Sequence, residues 1–119
     1  MNGGNINAKG NLAFLGGANG GTTSLSLTGT SAQSWSASGG AVIPSGAVTI
    51  NSSSSINLNS NISLSAAGQT LLLQSGTLNM NAFNLSINST LTLQTGTVIN
   101  KSGGNLTYGA LTNNGTINP

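Results

Sequence analysis

Nine short stretches of this chain set an apolar residue on each side of a single intervening one: Leu25-Ser26-Leu27, Val48-Thr49-Ile50, Ile56-Asn57-Leu58, Ile62-Ser63-Leu64, Leu71-Leu72-Leu73, Leu78-Asn79-Met80, Leu85-Ser86-Ile87, Leu91-Thr92-Leu93 and Leu106-Thr107-Tyr108. A period of two turns alternate side chains to one face of an extended backbone, so each stretch reads as a strand with one face buried. Gly, Asn and Ser fill the gaps. They tolerate positive φ or form side-chain turns, so the chain is expected to bend after only a few residues. No window carries the three-to-four residue apolar spacing of a helix, and β-branched Thr, Val and Ile are frequent, so helix content is expected to be close to nil.

The strands recur in a longer rhythm. The stretch Leu71-Leu72-Leu73-Gln74-Ser75-Gly76-Thr77-Leu78-Asn79 aligns with Leu91-Thr92-Leu93-Gln94-Thr95-Gly96-Thr97-Val98-Ile99-Asn100 at an offset of 20 residues, and a shorter copy starts at Leu111. A second motif, Asn61-Ile62-Ser63-Leu64, Asn84-Leu85-Ser86-Ile87 and Asn105-Leu106-Thr107-Tyr108, keeps step at spacings of 23 and 21 residues. Two motifs sharing a period of about twenty residues predict an all-β fold, a parallel β-solenoid (β-helix) in which each repeat is one coil. Equivalent strands then stack about 4.8 Å apart, with Leu71, Leu91 and Leu111 in one inward column and Leu73 and Leu93 in another. Gly76, Gly96 and Gly115 are expected at one corner, and Asn61, Asn84 and Asn105 in a ladder whose side-chain amides bond along the axis. Six such coils give a rod of roughly 30 Å.

The N-terminal part follows the rhythm less closely. Gly16-Gly17-Ala18-Asn19-Gly20-Gly21 reads as a flexible break, and the stretch from Ala32 to Gly40 lacks the alternation, so residues 31–40 are expected to be the most mobile. The organisation expected is therefore an irregular, flexible N-terminal arm over 1–21, with short strands around Ile6 and Leu12–Leu15, and a single solenoid domain over 22–119, most regular over 46–119. Pro44 cannot donate to a ladder and is expected at a turn or the beginning of an edge.

Composition narrows the function. The 119 residues include no Asp, Glu, His, Cys or Arg, whereas Asn (18), Ser (18), Gly (18) and Thr (14) make up more than half the chain. General acid-base chemistry needs a group that titrates near neutrality, glycoside cleavage needs two carboxylates, and a nucleophilic Ser needs a base. Lys101-Ser102 is a formal Ser-Lys pair, and a solvated turn lysine is the simpler reading. No enzyme activity, cofactor or metal site is expected, since calcium recruits carboxylates and zinc recruits Cys or His. Lys9 and Lys101 are too isolated to form the cationic footprint of a nucleic-acid binder. No segment approaches the roughly 20 consecutive apolar residues of a membrane span, so membrane insertion is not expected. The Asn-x-Ser/Thr triplets at Asn51, Asn61, Asn84, Asn88, Asn100, Asn105 and Asn114 follow from the abundance of these residues. Trp35 and Tyr108 are single aromatics, read as packed or capping side chains rather than sugar platforms.

The run Gly104-Asn105-Leu106-Thr107 followed by Leu111-Thr112-Asn113-Asn114-Gly115-Thr116-Ile117 resembles the coils of autotransporter passengers and filamentous-haemagglutinin-like bacterial surface adhesins, a similarity extending over roughly residues 46–119. What the resemblance implies is a right-handed parallel β-helix exported to the cell surface, working in adhesion or as a fibre. The chain departs from that family in having almost no charge and in being far shorter than a full passenger. Soluble solenoids cover their ends with polar caps, and near-zero charge removes the repulsion that keeps copies apart. The expected function is a structural subunit of an extracellular or cell-surface filament, a homopolymer assembled head to tail by β-strand addition. Ile6, Leu12 and Phe14 in the arm and Leu111 and Ile117 at the other end are the self-association candidates. Two alternatives stand beside it: a β-helix module of an adhesin that binds surface glycans, and an antiparallel β-sandwich pilin with donor-strand exchange.

Overall fold

In a computed structural model that describes residues 2–18 and 20–119, the alternating stretches become strands of a parallel β-solenoid of about five turns. Met1 and Asn19, the latter within the expected glycine-rich break, lie outside the described residues. The strands are β1 (Asn5–Ala8), β2 (Leu12–Phe14), β3 (Ser24–Leu27), β4 (Gln33–Ala37), β5 (Val48–Leu58), β6 (Ile62–Leu64), β7 (Leu71–Asn79), β8 (Leu85–Leu93), β9 (Val98–Asn100), β10 (Leu106–Asn113) and β11 (Thr116–Asn118). Among the described residues there is no helix, and every pairing between strands is parallel. That removes the antiparallel sandwich.

Each coil has three sides, because the longer strands bend through corners and serve two of them. Side A stacks β1, β3, the first part of β5, the first part of β7 and the last parts of β8 and β10. Side B stacks β4, the second parts of β5 and β7, β9 and β11, with β2 laid on β4. Side C holds β6 and the first parts of β8 and β10. In-register pairing places like on like: Ile6, Leu25, Val48, Leu71, Leu91 and Leu111 form one inward column of side A. Leu73 stacks on Leu93 in the next, as expected. These columns, with their counterparts on sides B and C, are the single core.

The N-terminal segment belongs to the same stack. β1 pairs with β3, and β2 pairs with β4 through Leu12 opposite Trp35 and Phe14 opposite Ala37, so residues 5–14 form the first coil rather than a detached arm. Residues 33–37 also keep the alternation, since Gln33 and Trp35 are buried while Ser34 and Ser36 are partly exposed. The signal was masked because Gln33 is polar in a column continued by Ile56, Leu78, Ile99 and Ile117. Its amide justifies the position: Nε2 donates to the carbonyls of Ala8 (2.9 Å) and Gly10 (2.6 Å), and Oε1 accepts from Gly29 N–H (2.7 Å). Buried Gln69 repeats the device, its Nε2 donating to Pro44 O (2.7 Å) and Gly46 O (3.0 Å) while Oε1 accepts from Ala66 N–H (3.3 Å). Each Gln holds two carbonyls of the preceding coil, and Ala8 O also accepts from Thr28 N–H (2.9 Å); an unpartnered buried carbonyl costs about 1–3 kcal/mol. Trp35 is fully buried and its Nε1 has no hydrogen-bond partner.

Corners impose the tightest local demands. At the corner between sides A and B, a Cβ on Gly76 (φ +93°) would lie 2.7 Å from the carbonyl oxygens of both Ser52 and Ser54. Gly96, one coil on, has φ +86° and open space around the same position. At the corner between sides B and C, Asn81 and Ala82 both have positive φ (53° and 65°), closing a turn in which Phe83 N–H donates to Met80 O at 3.0 Å. The equivalent turn one coil later carries Ser102 and Gly103.

These corners order three substitutions. Gly76→Ala is expected to lose about 3 kcal/mol or more, from left-handed strain plus the carbonyl clash, and Gly96→Ala only about 1–2 kcal/mol from strain alone. Ala82→Gly is expected to gain about 0.5–1 kcal/mol by relieving its positive φ. Urea denaturation midpoints of the dispersed chain at unchanged slope check all three, and equal losses at Gly76 and Gly96 would contradict the corner geometry.

Candidate assembly surfaces

Strand edges without a partner lie at the ends of the stack. At one end β1 pairs with β3 alone and β2 with β4 alone; at the other β10 pairs with β8 alone and β11 with β9 alone. Each outer strand therefore turns alternate N–H and C=O groups away from the fold, an edge that templates a further strand.

The five self-association candidates divide between these ends. In the first coil Ile6 and Leu12 are half-buried, while Phe14 is in the core at 6 % exposure and presents little surface. In the last coil Leu111 is 36 % exposed and Ile117 half-buried. Side C adds two residues to that end: Leu106 and Tyr108 complete the columns Ile62–Leu85 and Leu64–Ile87, with Tyr108 41 % exposed. The alternation of Leu106-Thr107-Tyr108 already carried their inward direction in the sequence.

Asparagines run along the outside. Asn84 N–H donates to Asn61 Oδ1 (2.9 Å) and Asn105 N–H to Asn84 Oδ1 (3.1 Å), so the expected ladder exists, made of side-chain carbonyls and backbone amides. An amide-to-amide ladder lies instead on side B, where Asn79 Nδ2 donates to Asn57 Oδ1 (2.9 Å), Asn100 Nδ2 to Asn79 Oδ1 (2.9 Å) and Asn118 Nδ2 to Asn100 Oδ1 (2.8 Å). Every donor in it points toward the N-terminal coils. Its signal was the Asn that closes the repeat at Asn79, Asn100 and Asn118.

A third feature interrupts side C. Two early coils cross it as glycine-rich turns instead of strands, tied to each other by Val42 N–H to Ala18 O (3.1 Å) and Ser45 N–H to Gly21 O (2.8 Å). Beside β6 this leaves an open cleft of about 370 Å³, walled by residues 37–43 and by Asn61, Ser63 and Ser65. Its size falls among small-molecule sites, about 300–1,000 Å³, and no charged side chain lines it. Lys9 lies exposed after β1, and Lys101 lies at the far corner after β9 beside the exposed turn residue Ser102, so the two cations do not converge.

No protein-family model, curated protein or solved structure matches the chain.

With no Asp, Glu or His, the chain lacks the side chains whose ordinary pKa lies near or below neutrality, and proton linkage between pH 5 and 7 is left little beyond the chain termini. The unfolding free energy is expected to change by less than about 0.3 kcal/mol across that window. Denaturation midpoints at pH 5, 6 and 7 check it, and a monotonic drift would reveal a titrating group that differs between folded and unfolded chains.

Proposed function

We propose that this chain is a structural subunit of an extracellular or cell-surface filament, assembling head to tail by β-strand addition. The observation that carries the reading is the continuity of the stack: inward columns run in register to the outermost strands at both ends, through Ile6 at one and Leu111 and Ile117 at the other. A second copy placed on that end meets a ready ladder and an apolar column, and the formal charge of +2 on each chain opposes the contact little. The resemblance of residues 104–117 to coils of autotransporter passengers and filamentous-haemagglutinin-like adhesins supports export to a surface.

A glycan-binding adhesin module is the second reading, favoured by the neutral cleft beside β6. Asn61, Ser63 and Ser65 offer hydrogen-bonding groups to hydroxyls, and Ala41, Val42 and Ile43 offer apolar wall.

Electron microscopy of the purified chain at neutral pH is expected to show long unbranched filaments with an axial layer line near 4.8 Å. Leu111→Lys places a charge in the exposed end of the inward column and is expected to raise the concentration needed for assembly at least tenfold while leaving the circular dichroism of the monomer unchanged. Dispersed monomers of the unaltered chain at every concentration would overturn the filament reading. Chemical-shift changes confined to residues 37–43 and 61–65 on adding neutral oligosaccharides to that variant would favour the adhesin module.

A further inference from the structure

The end surfaces differ in the hydrogen-bonding groups they present, and the difference is directional. In the first coil three outward asparagines turn their side-chain carbonyls toward the second coil: Asn5 Oδ1 accepts from Ser26 Oγ (3.2 Å), Asn7 Oδ1 from Thr28 Oγ1, and Asn11 Oδ1 from Ser34 N–H (2.9 Å). An amide whose oxygen faces inward along the stack leaves its NH2 donors to the open side. At the far end the polarity is reversed. Asn118 spends its Nδ2 on Asn100, which leaves Oδ1 as the outward acceptor, and on side A the Thr112 hydroxyl stands exposed.

Register converts this into a pairing. Ile6 heads the column that Leu111 ends, so β1 of a second copy continues the stack with Ile6 over Leu111, Asn7 over Thr112 and Ala8 over Asn113. On side B, Gln33 and Ser34 occupy the columns that Ile117 and Asn118 end. Asn11 precedes Ser34 in that outward column, because its Oδ1 binds the Ser34 N–H and the neighbouring Leu12 pairs with Trp35. Asn11 of the incoming copy therefore faces Asn118, donor to acceptor, in the same direction as the bonds from Asn79 to Asn57, Asn100 to Asn79 and Asn118 to Asn100.

We infer that the partner of the C-terminal end is the N-terminal end of a second copy in this one register, with Asn11 Nδ2 donating to Asn118 Oδ1 across the junction so that the asparagine ladder runs from subunit to subunit. The inference rests on the filament reading and specifies its contact. The junction uses sides A and B.

Because the chain contains no Cys, paired substitutions read the register directly. Asn7→Cys with Thr112→Cys places the two Cα atoms of neighbouring copies about 4.8 Å apart, within the range a disulfide spans, whereas Asn5→Cys with Thr112→Cys places them about 8 Å apart. Under mild oxidation the first pair is expected to give a ladder of covalent oligomers on a non-reducing gel and the second only traces. Asn11→Asp keeps the acceptor for Ser34 but removes the donor. It is expected to raise the concentration needed for assembly at least tenfold at pH 7, with recovery at pH 3 where the carboxyl regains a proton to donate. Filaments that form while both pairs cross-link equally, or while only the Asn5 pair does, would overturn the register and leave the filament reading standing. Absence of filaments and of cross-links in every variant would overturn both. Filaments that cross-link in register but ignore Asn11→Asp would remove the asparagine bond from the junction.

Discussion

The constraint on which this structure depends is parallel, in-register hydrogen bonding between coils about 4.8 Å apart. It places each residue directly over its counterpart one coil earlier, so every position is judged by its fit to a neighbour of similar kind. Aliphatic columns such as Val48, Leu71 and Leu91 satisfy that demand inside, and Asn57, Asn79 and Asn100 satisfy it outside by donating with one end of the amide and accepting with the other. Charged side chains cannot, because a column of like charges repels itself at that spacing.

Corners are where the ladder fails and side chains replace it. Gln33 and Gln69 each reach back one coil to hold two carbonyls two residues apart, and Ser52 Oγ donates to Gly29 O (2.8 Å) while accepting from Ser54 N–H (3.1 Å). A solenoid with short turns leaves few backbone groups to water, so its buried polar residues cluster at bends and its core stays aliphatic. The glycines at tight corners solve the steric half of the same problem, admitting the carbonyls of an adjacent coil where a Cβ would stand.

The same stacking rule underlies the proposed filament. A fold that is stabilised by adding one coil to another presents at each end the surface it uses inside, and here the two end surfaces carry complementary amide polarity. On the proposed filament reading, a chain with no Asp, Glu, His or Cys works through extension of its own stack. The cleft beside β6 is the place where that lattice is interrupted, and it is correspondingly the place where a foreign neutral ligand has room.

The sequence by itself determined most of the strands, their inward faces and the period, though not β4, because alternation and spacing are local properties; all nine apolar stretches lie in strands, except that Met80 falls one residue beyond β7. It also determined the column through Leu71, Leu91 and Leu111; of the five residues named for self-association, Ile6, Leu12, Leu111 and Ile117 lie partly exposed in the outermost coils and Phe14 lies in the core. Only the tertiary structure decided that Gln33 faces inward, that residues 5–14 form the first coil, that the amide ladder runs through Asn57 and Asn118, and that side C opens into a cleft. Each of these depends on what the neighbouring coil offers: the carbonyls of Ala8 and Gly10 for Gln33, β3 and β4 for the first coil, an aligned amide for each Asn, and glycine-rich turns where strands are missing over β6. A single strand's composition does not contain its neighbour's position, and in a stack with irregular coil lengths, 19 residues from Ile6 to Leu25 and 23 from Leu25 to Val48, that position is settled only when the coils are built on one another.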